Sequence, residues 1–288
     1  MGVELGFGTP PQKNINDTIT FGSNLSLSNF EFGSKDIYYD SSTIPTPYSG
    51  HLGVNNECFT GDQCDYYCTN ILGQLVQQGA IYARAFSLLP PKDANTTGNL
   101  LFGGIDQAKR DEPVSAILYL PGDQALNNHV TFYTFYVTDT TGNETVVPVD
   151  PASYVFWDTN TPSWDLPLAG FQAVADYLQL GDVDPDSGYP FQVGCKFLEP
   201  TTASISIGFN DSPNFQVYYH ELVYQLGPND CWTAVRGATP IEDDDVYFIV
   251  AGGAFTRKFY LTFNLDARTI SISGARYTDD ESIVAITP

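Results

Sequence analysis

Residues 156–167, with the sequence FWDTNTPSWDLP, hold a carboxylate and hydroxyl side chains between apolar neighbours. Asp158 is followed by Thr159 and Thr161, and this pattern occurs once in the chain. A carboxylate fixed in a tight turn can activate a water molecule to hydrolyse a peptide bond, provided that a second carboxylate lies close enough to share one proton. An isolated Asp-Thr pair is more typical of an ordinary turn or helix cap, because both side chains bond readily to nearby backbone. Other segments of the chain decide between these two interpretations.

The segment resembles the D-[ST]-G-[ST] active-site turn of the pepsin-like aspartic proteases, which is followed by a Leu-Pro pair. Five residues match this pattern: Asp158, Thr159, Thr161, Leu166 and Pro167. Asn160 stands where the family has glycine. Both residue types tolerate left-handed backbone angles, although Asn does so at some cost and adds a side chain to a crowded turn. The resemblance implies that Asp158 is a catalytic acid and that Thr159 and Thr161 orient it by hydrogen bonding.

Four further segments resemble the same family and follow its order along the chain. They are FGTPPQ at 7–12, FSL at 86–88, LFGGID at 101–106 and the closing run GGAFTRKFYLTFNLD at 252–266. Within the closing run, Gly253 and Asn264 stand where the family usually has acids. Over nearly its whole length the chain therefore resembles the pepsin-like aspartic protease (peptidase A1) family, of the secreted fungal type.

The resemblance implies a mainly β, bilobal pepsin-like fold. We expect residues 1–125 to form an incomplete N-terminal lobe and residues 126–288 to form the C-terminal lobe that carries Asp158. Composition agrees with a mainly β chain, since short apolar segments alternate with turns rich in Asn, Asp, Gly and Pro. Nineteen Phe and eighteen Tyr in 288 residues are enough for one or two substantial cores. Helices are expected only over residues 70–79, 168–178 and 218–226.

The first catalytic D-T-G-S segment of the family, and the flap hairpin after it, have no clear counterpart beyond Gln12. In one alignment, Asp17 and Thr18 are a damaged catalytic turn with Ile19 at the glycine position. In the other, residues 17–33 (DTITFGSNLSLSNFEFG) are a later strand pair of the family, and the first catalytic segment and flap are absent. The alternation of apolar and polar residues in this stretch favours the strand pair.

The resemblance implies acid hydrolysis of polypeptide substrates, with no metal and no organic cofactor. Asp17 is the candidate partner of Asp158 within one chain, and the other route to a carboxylate pair joins the Asp158 turns of two chains. Without a partner carboxylate the site has only one of the two acids that the reaction needs, so we expect this chain alone to be inactive. The alternative function is that of a non-catalytic pseudoprotease that keeps the cleft as a peptide-binding groove.

The charge balance excludes some classes of partner. Twelve Lys and Arg against 34 Asp and Glu give a formal net charge of -22, which repels nucleic acid and anionic membranes. Protonation of carboxylates lowers this self-repulsion in acid, which suits a protein that works there. The acidic run at 242–245 lacks the alternation of a calcium loop and is interpreted as a solvated loop. No apolar run approaches the roughly 18 residues of a membrane span, and we expect a monomer.

Five cysteines indicate an oxidising compartment. The resemblance places a disulfide of the C-terminal lobe at Cys195 and Cys231. The other three, Cys58, Cys64 and Cys68, are too few and too closely spaced for a metal site, so they predict one local disulfide and one spare thiol.

The glycosylation signals also indicate the secretory route. Five sequons of the form N-x-[ST] begin at Asn16, Asn24, Asn95, Asn143 and Asn210. No leader pattern opens the chain at Met1, so we expect a shortened product or an incomplete gene sequence of a secreted protease. The expected location is an acidic compartment: outside the cell, at its surface, or in a vacuole.

Overall fold

The computed structural model describes residues 13–21, 25–34, 71–92, 96–111, 114–118, 129–132, 134–150, 153–158, 163–181, 191–209, 215–238 and 247–287. The helices are α1 (Ile71–Gln77), α2 (Leu168–Leu178) and α3 (Gly253–Thr256), with 3-10 turns at Gln107–Lys109, Cys195–Leu198 and Tyr219–Leu222. None of the helices in these ranges is long and apolar enough to cross a bilayer. Several predictions concern residues outside the ranges: the cluster of Cys58, Cys64 and Cys68, the acidic run at 242–245, the sequons at Asn24, Asn95 and Asn210, and the roles of Thr159 and Thr161.

Strands dominate the described ranges, and the prediction of a mainly β protein is confirmed. The strands are β1 (Lys13–Phe21), β2 (Leu25–Ser34), β3 (Ala85–Leu89), β4 (Asn99–Phe102), β5 (Gly104–Asp106), β6 (Ser115–Leu118), β7 (His129–Thr131), β8 (Thr134–Thr138), β9 (Glu144–Val147), β10 (Tyr154–Trp157), β11 (Trp164–Pro167), β12 (Phe191–Val193), β13 (Ser204–Gly208), β14 (Phe215–Tyr218), β15 (Val223–Gly227), β16 (Asp230–Thr233), β17 (Val235–Ala238), β18 (Phe248–Ala251), β19 (Phe259–Asn264), β20 (Thr269–Gly274) and β21 (Ile283–Ala285).

Strands β1 and β2 form an antiparallel hairpin, which confirms the predicted strand pair over residues 17–33. Lys13 pairs with Ser34 and Phe21 with Leu25, with a register shift between Asp17 and Ile19. A shift of this kind inserts an extra residue into one strand and bends it locally.

A five-stranded sheet, here called the central sheet, has the order β4-β3-β19-β20-β6 and joins distant parts of the sequence. Strand β3 lies antiparallel to β19, so the FSL segment is adjacent to the closing run. Phe86 and Phe263 stack with ring centroids 4.6 Å apart on one face. On the other face, the hydroxyl oxygens of Ser87 and Thr262 lie 3.0 Å apart. The alternation of side chains along each strand thus gives this sheet one apolar face and one partly polar face.

A second five-stranded sheet, here called the site sheet, has the order β17-β11-β18-β10-β7. Strand β18 lies between β10 and β11; it runs parallel to β10 and antiparallel to β11. Strand β17 adds to the outer side of β11 in parallel register. The remaining strands form the sheets β14-β13-β8-β9 and β12-β16-β15 and the pairs β1-β2 and β21-β5.

Helix α2 confirms the predicted helix over residues 168–178 and packs beside the site sheet. Its buried side chains include Phe171, Val174 and Leu178, which recur at helical spacing. Gly170 is required by a close contact, because a Cβ atom there would lie 2.6 Å from Cε1 of Phe135. The predicted helix over 70–79 is also observed, as the shorter α1.

The helix predicted over residues 218–226 is wrong beyond its first turn. A single 3-10 turn at Tyr219–Leu222 is followed directly by β15. The Glu221 carboxylate accepts the backbone N–H of Tyr218 at 3.0 Å, which closes the turn. Val223 and Tyr224 then pair with β16, and residues of these types favour a pleated strand.

One hydrophobic core extends across both five-stranded sheets. It contains Leu261 and Phe263 of the central sheet together with Trp164 and Ile249 of the site sheet, all fully or nearly fully buried. Burial of each such side chain stabilises the fold by roughly 1.5 to 3 kcal/mol. The two sheets are therefore held together mainly by apolar contact.

Cys195 and Cys231 form the disulfide that the family resemblance implies. Their Cα atoms lie 5.2 Å apart and they are 36 residues apart in the sequence. The bond connects the 3-10 turn Cys195–Leu198 to β16.

Replacing both cysteines, as Cys195→Ser with Cys231→Ser, should lower the free energy of unfolding by about 4 kcal/mol, because the unfolded chain loses a constraint on a loop of this length. Urea unfolding followed by tryptophan fluorescence measures the loss. A double variant with a midpoint equal to that of the wild type would show that the cross-link does not stabilise the fold.

The turn between β8 and β9 is organised around the exposed carboxylate of Asp139. Its Oδ1 atom accepts hydrogen bonds from the Thr141 hydroxyl at 2.7 Å and from the backbone N–H of Thr141 at 2.8 Å and of Asn143 at 2.9 Å. The Asn143 side chain donates to Oδ2 at 3.1 Å. These bonds, led by that of the Thr141 hydroxyl, lower the pKa of Asp139 to about 2.

Because the folded pKa is depressed, the contribution of Asp139 is present above the ordinary Asp pKa of about 3.9 and is lost only as the pH falls through about 2. A carboxyl NMR titration should therefore give a midpoint near 2, and Thr141→Ala should raise this midpoint. A midpoint near that of an ordinary Asp in the wild type would contradict the hydrogen-bonded turn.

Candidate active site

Asp158 lies at the carboxyl end of β10, directly after the buried Trp157. Its backbone N–H donates to the carbonyl oxygen of Ala251 at 3.3 Å, and its side chain is partly exposed. Thr159 and Thr161 fall outside the described residues, so their orienting role stays a prediction.

Ala251, the last residue of β18, fixes both ends of the segment that carries Asp158. It pairs with Trp157 of β10 on one side and with Trp164 of β11 on the other. The segment 158–163 thus begins and ends beside the same main-chain position.

An aromatic cluster packs around Trp157 and Trp164. The rings of Trp164 and Phe255 have centroids 4.6 Å apart, and those of Trp157 and Phe255 are 5.6 Å apart. Phe209 approaches Trp157 at 6.2 Å, and Phe259 approaches Phe255 at 4.7 Å. Both tryptophans are packing residues, since Trp157 is 3% and Trp164 0% exposed.

Several buried polar atoms beside the segment make no hydrogen bond within the described part of the chain. They are the indole Nε1 atoms of Trp157 and Trp164 and the hydroxyl of Ser163. Buried polar atoms normally have a hydrogen-bond partner, so these three atoms are positions that the described contacts do not explain.

A buried carboxylate pairs with an arginine on the far side of the site sheet. Asp165 on β11 lies opposite Arg236 on β17. The guanidinium donates from Nε to Oδ1 at 2.9 Å and from Nη2 to Oδ2 at 2.5 Å, in a bidentate arrangement. The Asp165 side chain is 4% exposed and that of Arg236 34%. Burial raises the pKa of Asp165, although the hydrogen bonds and charge of Arg236 act in the opposite direction.

Sequence reasoning missed this pair. Its signal was present, because Asp165 interrupts the otherwise apolar W-D-L-P run and Arg236 is one of only twelve basic residues in the chain. A charge inside an apolar strand requires a partner, and a basic residue flanked by Val and Gly in a second strand is a suitable one.

Asp17, the candidate partner of Asp158, lies inside β1 and pairs with Phe30. It is thus placed in a strand and not in a turn. The position of its side chain lies outside the described part, so its pairing with Asp158 stays a prediction. Among the sequons, Asn143 is exposed in the β8–β9 turn and Asn16 lies in β1.

Within the described residues, no group of three or more His, Cys, Asp or Glu side chains is arranged to hold a metal ion. Two carboxylates of the site sheet are described here. Asp158 is partly exposed, whereas Asp165 is hydrogen-bonded to Arg236.

Comparison with known proteins extends the resemblance along the chain. The family described as eukaryotic aspartyl protease matches residues 5–275. Secreted aspartic protease 8 of Candida albicans is 26% identical over 268 residues, which cover 93% of this chain and 57% of that protein. Candidapepsin of Candida tropicalis is 24% identical over 290 residues, covering 99% of this chain and 64% of that protein. The chain thus spans about three fifths of the length of these relatives.

Burial of Asp165 implies that the stability of the fold depends on pH. Because its folded pKa is raised, its stabilising contribution is complete below the ordinary Asp pKa of about 3.9 and is lost as the pH rises through the folded pKa. The stability of the wild type relative to Asp165→Asn should therefore fall as the pH is raised from about 4 to 7, as measured by urea unfolding at each pH.

Arg236→Gln provides the matched comparison, because it removes the cation that favours the ionised carboxylate. The fall in stability with rising pH should be larger in this variant. If the wild type gained stability over Asp165→Asn as the pH rose, the ion pair would dominate over burial and the expectation would be wrong.

Proposed function

The chain belongs to the eukaryotic aspartyl protease family, and on that premise we propose that it carries one half of an acid endopeptidase site, with Asp158 as the reacting carboxylate. The observation that supports this most directly is the position of Asp158 at the end of β10, with its main chain bound to Ala251. This places a partly exposed carboxylate on a rigid part of the sheet, and such sites hold geometry better than loops do.

The proposed chemistry needs a pair of carboxylates that share one proton. One takes a proton from a water molecule as the water attacks the peptide carbonyl, and the proton is then relayed to the leaving amine. A single group of this kind contributes roughly 10² to 10⁴-fold to the rate. Since the sequence has no D-T-G-S segment, we propose that cleavage depends on Asp17 or on a second copy of the chain for the partner carboxylate, and that Asp158 acting alone is inactive.

The alternative is a pseudoprotease that binds peptides without cleaving them. The location of Asp17 inside β1 favours this alternative, because a strand residue paired with Phe30 does not have the turn geometry of a catalytic acid. Residues 1–125 and 126–288 remain the proposed lobes. The central sheet draws strands from both, since β3, β4 and β6 come from the first and β19 and β20 from the second.

Secretion into an acidic compartment is proposed on three grounds. Relatives such as Secreted aspartic protease 8 of Candida albicans are named as secreted, the Cys195–Cys231 disulfide needs an oxidising route, and the sequon at Asn143 is exposed. Polypeptides are the proposed substrates, and a single chain is the proposed unit.

Cleavage of an unfolded protein at pH 3 to 5 tests the proposal. We expect slow cleavage that pepstatin blocks and that Asp158→Asn abolishes, because the variant cannot accept a proton from water. Asp176→Asn, which changes an exposed acid on α2, is the control and should cleave as the wild type does.

The same assay separates the two sources of a second carboxylate. Loss of activity in Asp17→Asn indicates a partner within the chain, whereas a rate per chain that rises with protein concentration indicates a second copy. Equal cleavage by Asp158→Asn and the wild type would refute the proposed site. Binding of pepstatin without turnover would support the pseudoprotease.

A further inference from the structure

A cavity of about 380 Å³ lies against the polar face of the central sheet and is separate from the site sheet. The described residues that line it come from β3, β4, β5, β19 and the C-terminal segment around Glu281 and Ile283. This volume is within the range of roughly 300 to 1,000 Å³ that is typical of small-molecule sites.

Asp106 is a buried acid in the wall of this cavity. It is 6% exposed, and its Oδ1 atom accepts the backbone N–H groups of Ala108 at 3.1 Å and Ser282 at 2.8 Å. A carboxylate has two oxygens and about four acceptor positions. Within the described part of the chain Oδ2 has no such hydrogen bond, so Asp106 retains acceptor capacity beside the cavity.

Lys109, the cation in the same wall, already donates hydrogen bonds to carbonyl oxygens of the protein. It is 5% exposed, and its ammonium donates to the carbonyl oxygens of Thr278 at 2.5 Å and Asp280 at 3.1 Å. Its charge is therefore stabilised by the C-terminal segment. Its role is to hold that segment over the cavity.

The hydroxyl groups in the wall are also fixed. The Tyr260 hydroxyl accepts the backbone N–H of Asp106 at 2.7 Å, and burial raises the pKa of this hydroxyl, so it stays neutral. The Ser87 hydroxyl donates to the carbonyl oxygen of Gly104 at 2.7 Å. These bonds keep the wall, and Asp106 in it, in one arrangement.

The described charged residues of the lining are two acids, Asp106 and Glu281, and one base, Lys109. The chain as a whole carries a formal charge of -22. Arg110 adds a second positive charge near the Tyr260 hydroxyl, so the preference for a cationic ligand over an anionic one comes from the charge of the whole chain.

Two aliphatic residues of the lining lie on the side of the cavity where Ser87 and Asp106 are found. Leu101 on β4 pairs with Ser87, and Ile283 on β21, which is 57% exposed, pairs with Asp106. Aliphatic side chains beside a polar cavity provide surface for the hydrocarbon part of a ligand.

We propose that this cavity binds a primary ammonium group attached to an apolar chain, with Asp106 and Glu281 accepting its hydrogen bonds and with Leu101 and Ile283 contacting its hydrocarbon. Such a group occurs at the amino terminus of a peptide and in a free aliphatic amine. The proposal is independent of hydrolysis at Asp158, because its readout is binding.

Isothermal titration calorimetry on the full chain at pH 6 tests the proposal with three probes: hexylammonium, the peptide amide Leu-Leu-NH₂, and its N-acetylated form. We expect a probe with a free amine to bind, and acetylation to weaken binding at least about tenfold because the charged donor is lost. A preference for the peptide identifies an amino terminus as the source, and a preference for hexylammonium identifies an aliphatic amine.

Asp106→Asn should weaken amine binding at least about tenfold, since it removes the charge and leaves an oxygen that can still accept from Ala108 and Ser282. Glu281→Gln, at an exposed position where folding is not at risk, should weaken it less. The matched control is Asp279→Asn, an exposed acid of the same segment that does not line the cavity, and it should bind as the wild type does.

Equal affinity for the free and acetylated peptides, or no binding of either amine at millimolar concentration, would overturn the proposal. Unchanged binding in both Asp106→Asn and Glu281→Gln would overturn it as well. Circular dichroism of each variant establishes that a loss of binding is not a loss of fold.

Discussion

The main chain of Ala251 is the position on which the candidate site depends. Strand β18 lies between β10 and β11, and its last residue pairs with the tryptophan that precedes the Asp158 segment and with the one that closes it. The hydrogen bond from the Asp158 N–H to the Ala251 carbonyl then fixes the acid itself. Phe255, four residues further along, packs against both tryptophans from below. Asp158 is thus positioned by strand β18 and helix α3, whose contacting residues Ala251 and Phe255 follow it by more than 90 positions in the sequence.

The acidic groups of the protein fall into distinct physical classes. Asp165 is buried and paired, Asp139 is exposed and held by local hydrogen bonds, and Asp158 is partly exposed at the end of a strand. Burial and hydrogen bonding shift the pKa values of Asp165 and Asp139 in opposite directions. The carboxylates that make up the large negative charge therefore do not all take up protons over the same pH range, since the surroundings of each one set its pKa.

Local sequence patterns predicted part of this structure well. Apolar alternation predicted the β1–β2 hairpin, and apolar residues at helical spacing predicted α2 with its observed bounds. The prediction over 218–226 failed because Val223 and Tyr224 find a strand partner in β16, which local propensity does not show. The neighbours of Asp158 in space were equally inaccessible to pattern reasoning. Neither the hydrogen bond between Asp158 and Ala251 nor the Asp165–Arg236 pair can be predicted from spacing along the chain, because both depend on the order of strands within the site sheet.

The pairing of β3 with β19 has a consequence for biosynthesis. Ser87 and Thr262 are 175 positions apart in the sequence, so the inner edge of β3 has no partner until the ribosome has made β19. At about 5 to 20 residues per second, this delay amounts to roughly 9 to 35 seconds. During that interval the nascent segment presents an open, apolar strand edge, which is prone to aggregation. The chain therefore has reason to depend on chaperones while it is being made, and removal of the segment that carries β19 would leave the inner edge of β3 without its partner.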